Sequence, residues 1–208
     1  CVMIGHIGQM PSFAAKKFRD KEALYFEGQS FTFEELSNLI EKFSSSLHDL
    51  GIMQNDVVTL YASNSWEWII SYFSIARIGA IINPVNTMLT PSEVKHVVND
   101  CKAKAIITSY DKASAIINIK NDTSVNTIIS FGRAPQGTEE FNNLIKNEFQ
   151  PVKMPNIIPE DLSTIGYTSG TTGHPKGAMQ SHKSVVINGA MTSQLHMRGP
   201  EDVVVSAL

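Results

Sequence analysis

The chain has 208 residues, 42% of them hydrophobic and 18% charged, with a formal net charge of −3. That composition supports one sizeable core or two small ones, and its slight acidity excludes a general binder of nucleic acid or membrane surfaces. Cys1 and Cys101 are too few for a disulfide framework and lack zinc-site spacing, so no metal ligands are expected and a reducing, cytoplasmic setting is. The most apolar stretch, Trp68 to Ala76, is bounded by Glu67 and Arg77 and is too short for a transmembrane segment.

In chain order, the basic cluster Lys16, Lys17, Arg19, Lys21 is interrupted by Asp20 and reads as a solvated helix end. Ala23 to Phe26 reads as a strand, Glu27-Gly28-Gln29 as a turn and Ser30-Phe31 as a very short second strand. Thr32 opens a helix, with Glu35 completing a capping box; Leu36, Ile40, Phe43, Leu47 and Leu50 form its apolar face. Val57 to Tyr61 is a strand, Ser65 to Arg77 a mostly apolar helix and Ala80 to Val85 a strand. Thr90-Pro91-Ser92-Glu93 is a second capping box, opening a helix that carries Val94, Val97 and Val98. Then come a strand at Ala105 to Thr108, a helix at Lys112 to Ile119, a strand at Thr127 to Phe131 and a short helix at Phe141 to Phe149. The β runs are continuous and apolar rather than alternating. This predicts an α/β fold with mostly parallel sheets covered by helices on both faces.

Pro151, Pro155 and Pro159 mark a connection, which divides the chain into a first α/β lobe at 1–150, a Pro-rich link at 151–162 and the start of a second, incomplete lobe at 163–208. In that last part, strands are expected at Ser163 to Tyr167, Ala178 to Ser181 and Val203 to Leu208, with a helix at Ser184 to Met197.

The chemistry concentrates at Tyr167-Thr168-Ser169-Gly170-Thr171-Thr172-Gly173-His174-Pro175-Lys176-Gly177, where three glycines, four Ser/Thr hydroxyls and one lysine share eleven residues. Glycines let backbone approach an anion and adopt positive φ. Successive N–H groups form an anion-binding concavity. The hydroxyls of Thr168, Ser169, Thr171 and Thr172 can donate to phosphate oxygens, and Lys176 brings a mobile positive charge. The spacing is neither the Walker G-x-x-x-x-G-K-[ST] nor the Rossmann G-x-G-x-x-G.

The order Ser-Gly-Thr-Thr-Gly-x-Pro-Lys-Gly resembles the signature of the adenylate-forming superfamily of acyl-CoA synthetases, peptide-synthetase adenylation domains and beetle luciferases. Asn64-Ser65, Pro84-Val85-Asn86 and Met179-Gln180-Ser181-His182 resemble further segments of that family, so nearly the whole chain is covered. The resemblance implies that a carboxylic acid attacks the α-phosphate of Mg-ATP to give an acyl-adenylate and pyrophosphate, and that coenzyme A then displaces AMP. It implies that Thr168, Ser169, Gly170, Thr171, Thr172, Gly173, Lys176 and Gly177 hold the phosphates. Lys176 and Thr172 would act on the departing pyrophosphate, with Thr171 as a further hydroxyl donor. ATP, Mg2+ and CoA are the implied cofactors, and the acid, ATP and CoA the implied partners; nothing sets an oligomeric state.

The Thr-Thr pair leans toward a CoA ligase acting on a fatty or related acid. An amino-acid adenylation domain, a luciferase-like enzyme and a non-catalytic nucleotide-binding module stay open as alternatives. Members of the family are longer than this chain and carry their magnesium-binding Glu, ribose-binding Asp and catalytic-lysine domain further on. The chain is thus expected to be an N-terminal portion, inactive alone. His182, though placed like a base, reads as structural. Trp66, Trp68, Tyr72 and Phe73 read as core. Arg77 reads as an ion-pair partner of Glu67 or Asp56 in preference to a residue lining a coenzyme channel.

Overall fold

The computed structural model describes residues 4–146, 148–151, 153–168 and 175–206. A 3-10 turn at Ile7–Gln9 leads into α1 (Met10–Phe18), and the hairpin β1 (Glu22–Phe26) and β2 (Gln29–Thr32) forms a separate two-stranded sheet. Then follow α2 (Phe33–Asp49), β3 (Val57–Tyr61), α3 (Trp66–Arg77), β4 (Ile81–Pro84), α4 (Pro91–Asp100), β5 (Ala105–Ser109), α5 (Tyr110–Lys120) and β6 (Thr127–Phe131). The chain continues through β7 (Glu139–Glu140), α6 (Phe141–Leu144), β8 (Leu162–Thr168), β9 (Lys176–Ser181) and α7 (His182–Leu195).

Both capping boxes form. Thr32 accepts from the Glu35 N–H while the Glu35 carboxylate accepts from the Thr32 N–H, and Thr90 and Glu93 repeat the exchange. Each satisfies two backbone donors that a helix start leaves free.

The main sheet runs β7-β6-β5-β3-β4-β8-β9. Every pairing from β7 to β8 is parallel, and β9 alone is antiparallel. The inner strands have two buried faces because consecutive side chains point opposite ways. Val58 and Leu60 of β3 enter a core with Ile40, Phe43 and Leu47 of α2 and Ile70 and Ile75 of α3. Val57 and Tyr61 enter a second core with Val94, Val97 and Val98 of α4 and Ile116 of α5. This is the predicted parallel sheet with helices on both faces. Each such buried aliphatic or aromatic side chain contributes about 1.5–3 kcal/mol over its exposed state.

Three expectations change. The helix at Phe141 stops at Leu144 instead of Phe149. Its end is fixed from outside: the Ser46 hydroxyl donates to the Leu144 carbonyl at 2.7 Å, and the Ser45 hydroxyl to the Gln150 carbonyl at 2.9 Å. The last helix begins at His182, not Ser184, because the Ser181 hydroxyl accepts from the Ser184 N–H and makes Ser181 the N-cap. Val203 to Ser206 form no strand and Val203, Val204 and Val205 are exposed, while the rest of that expected strand lies outside the described residues. An apolar run becomes a strand only beside a partner that takes its backbone hydrogen bonds.

The Pro-rich segment does not separate two sheets among the described residues. β8 lies beside β4 through the parallel pair Ile82↔Thr164, so the strand that enters the glycine-rich loop belongs to the sheet built by 57–131.

Candidate functional site

The glycine-rich loop is closed by an antiparallel hairpin. β8 and β9 pair from Leu162↔Ser181 to Thr168↔Lys176. Thr168 and Lys176 therefore face each other at its mouth, both exposed. Ser169, Gly170, Thr171, Thr172, Gly173 and His174 lie outside the described residues. Pro175 is half-buried. Lys176 enters no ion pair among the described residues, so its charge faces solvent at the place where the loop returns to the sheet.

Gly177 earns its place by close approach rather than by φ. It has no positive φ, against the simplest reading of the loop's glycines. A Cβ there would stand 3.0 Å from Ile165 Cγ2 and 3.2 Å from Tyr167 Cζ. The Tyr167 ring lies across the bare backbone of its partner position in the hairpin. Its hydroxyl donates to the Asp100 carboxylate at the end of α4. Burial, and then that carboxylate, push the Tyr167 hydroxyl above its ordinary titration range. Beside it Cys101 is half-buried, and burial pushes its thiol up to about 11. A thiol in that state is a poor nucleophile at neutral pH.

The far end of the hairpin is held by His182, which is fully buried. Its backbone N–H donates to the Asp161 carbonyl at 3.0 Å, and its Nδ1 accepts from the Ile7 N–H at 3.3 Å. The His6 ring meets it edge-on at 5.6 Å. Burial, and then His6, push His182 down to about 4, partly opposed by Asp161. His6 is lowered by burial and by Arg77, again opposed by Asp161. The pair is neutral at pH 7. It ties the N-terminal turn to the start of α7, a structural role.

Arg77 binds neither Glu67 nor Asp56. It pairs with Glu41 of α2 at 2.7 Å, while Asp56 pairs with Lys104 at 2.7 Å. The geometry is helix to helix: α3 packs on α2, which brings Arg77 over Glu41, a tertiary neighbour that sequence spacing does not reveal. Trp68 and Tyr72 stack at 5.5 Å, and with Trp66 and Phe73 they pack against the core rather than forming a base-stacking face.

A concavity of about 370 Å³ opens at the carboxyl ends of β3, β5 and β6. Ser65, the N-cap of α3, lines it together with Asn64, Trp66, Ser109 and Phe131. There the connection from β3 runs to one side of the sheet and that from β5 to the other. Sequence reasoning named Asn64 and Ser65 but not the strand ends that complete this wall, which only the strand order brings together. Among the described residues no three His, Cys, Asp or Glu gather into a metal-holding group, and no helix is long and apolar enough to cross a membrane.

A family model described as "AMP-binding enzyme" matches residues 12–208. Among curated proteins, the chain is 28% identical over 189 residues to an indoleacetate–CoA ligase of Aromatoleum aromaticum, covering 90% of this chain and 37% of that protein. It is 32% identical over 162 residues to 4-coumarate–CoA ligase 2 of Solanum tuberosum, covering 77% and 29%. Among solved structures, an anthranilate CoA ligase in complex with anthranoyl-AMP superposes with a TM-score of 0.84 at 28% identity, over 93% of this chain and 37% of that one. ATP-bound MatB from Rhodopseudomonas palustris gives 0.87 at 25% identity, over 99% and 40%. The chain thus spans roughly a third of the length of the curated relatives it matches.

Proposed function

The chain belongs to the AMP-binding enzyme family, and on that premise we propose that its loop at 168–177 is the phosphate-holding wall of an ATP-dependent acid–CoA ligase. The observation that carries this reading is the hairpin. Its six register pairs end at Thr168↔Lys176 at the edge of the sheet, and between those two residues the sequence is rich in Gly and Thr, with a lysine at its exit. Acyl-adenylate formation breaks the bond between the α- and β-phosphates as a carboxylate oxygen bonds to the α-phosphorus. Negative charge then builds on the departing pyrophosphate, where prepositioned donors and cations lower the barrier. Thr168, Ser169, Thr171 and Thr172 would donate hydroxyls to those oxygens and Lys176 would neutralise them, with Gly170 and Gly173 admitting the close backbone approach while Gly177 makes room for the Tyr167 ring behind it.

In this reading, CoA sulfur next displaces AMP from the acyl carbon. Mg2+ bound to ATP would offset the charge of its phosphates. The first 150 residues act as one lobe, and 163–208 begin a second that is grafted onto the same sheet by β8. The indoleacetate, 4-coumarate and anthranilate ligases among the relatives widen the acids to test from fatty to aromatic. An amino-acid adenylation domain remains the second reading, because the same loop chemistry serves it.

The test is pyrophosphate release from Mg-ATP by the full-length protein, over a panel of fatty, aromatic and amino acids with and without CoA. Lys176→Ala should slow adenylate formation about tenfold, or 1.4 kcal/mol in the transition state. An unchanged rate removes Lys176 from the mechanism, and no release with any acid removes the ligase reading. Residues 1–208 alone should release none.

A further inference from the structure

β8 carries Tyr167 and Thr168 into the loop, yet its backbone pairing to the parallel sheet is a single register pair, Ile82↔Thr164. The reason lies in β4. Along a strand, successive N–H groups point to opposite sides. The N–H groups of Ile81 and Val85 both donate toward β3, to the Asp56 carbonyl at 2.8 Å and the Leu60 carbonyl at 2.9 Å. The N–H groups of residues 82 and 84 therefore belong to the β8 side. A parallel ladder advances two residues per rung, so after Ile82 the next donor to β8 would be residue 84, and its acceptor the Ile165 carbonyl. Residue 84 is Pro84, which has no N–H.

The side chain of Asn83 makes that bond instead. Its Nδ2 donates to the Ile165 carbonyl at 2.8 Å. Its Oδ1 accepts from the Thr59 hydroxyl at 2.8 Å, with the Cys101 thiol 3.8 Å away on the same oxygen. Thr59 and Asn83 are both fully buried and stand opposite each other in the β3–β4 register. Because Thr59 holds the carbonyl end of the amide, the NH2 end is left facing β8.

We infer that Asn83 is a positioning residue: its amide replaces the rung that Pro84 cannot supply and sets the register of β8, and through it the Thr168–Lys176 mouth of the loop. The link from register to ATP rests on the ligase reading; the register itself does not.

Hydrogen exchange on the 208-residue chain tests it without ATP. Asn83→Leu should speed exchange across 163–168 at least about tenfold more than across 57–61 and 105–109, since local opening is set by local contacts. Adding Pro84→Ala, which restores a backbone donor at the missing rung, should return most of the protection. General loosening by a buried substitution would not be repaired this way. Thr59→Val, close in volume, should give the same localised increase through loss of the amide's orientation, and reads the proposal if Asn83→Leu does not fold. Uniform exchange across the three strands, or no recovery with Pro84→Ala, overturns it. In the full-length protein Thr59→Val should raise KM for ATP with little change in thermal midpoint; an unchanged KM breaks the link to the loop. A wild-type protein that makes no adenylate sinks the ligase reading and leaves the register to stand or fall on exchange.

Discussion

The inner strands and the β8–β9 hairpin are built in opposite ways. β3 is buried along its whole length and pairs on both edges. Among the described residues β9 has one neighbouring strand, and it is exposed from Lys176 to Gln180. The inner strands are held by apolar burial on two faces and by continuous ladders. The hairpin lays Leu162, Ile165 and Tyr167 against the second core and is tied by particular side chains: Asn83 at β8, Tyr167 on Asp100, and His182 on the N-terminal turn. Polar loop residues are costly to bury in an apolar core, and the strands that flank 169–174 lie at the edge of the sheet with β9 exposed.

The contrast predicts unequal sensitivity. Ile107→Ala, at a fully buried β5 position, should cost about 2–5 kcal/mol through lost transfer energy and the cavity left behind. Urea unfolding measures it, and a cost below 1 kcal/mol would mean that the inner sheet is not the stabilising unit.

The His182–His6 tether should make stability depend on pH. His182 titrates near 6.5 when unfolded and about 4 when folded, so the unfolded chain takes up the proton first. Stability from this group is full above pH 6.5, falls toward pH 4 and is flat below it. The slope is at most about 1.4 kcal/mol per pH unit for one proton. His6 adds in the same direction, and Asp161 opposes both. His182→Asn keeps an acceptor for the Ile7 N–H but removes the titration, so its unfolding free energy should decline less over that window. Equal slopes for the two proteins would show that the buried imidazole is not what pH reads. At the small end, Met179→Ser on β9, where Met179 is 72% exposed, should shift stability by no more than about 0.5 kcal/mol. A larger loss would mean that the hairpin edge is packed against something.

Legibility in the sequence follows the same division. Local signals were strong where chemistry is local: both capping boxes, the apolar strands and the loop motif stood in the residues themselves. Missed features depend on distant partners. Ser46 ends α6 from 98 residues away in sequence, Arg77 finds Glu41 rather than its sequence neighbours, and Asn83 reads as an ordinary strand polar residue until Pro84 and Ile165 are seen together. His182 was read as structural, but its partner His6 carried no sequence signal.

The sequence by itself determined the α/β class and the order of the elements, because helix caps and strand burial patterns are set by residues close along the chain; the proposed phosphate-holding role of 168–177 rests on residues equally close together. Tertiary structure alone decided that β8 joins the first sheet beside β4, that Gly177 makes room for Tyr167, and that a side-chain amide stands in for a proline's missing N–H. Those depend on which strands become neighbours, and strand order is fixed by packing both faces of one sheet at once.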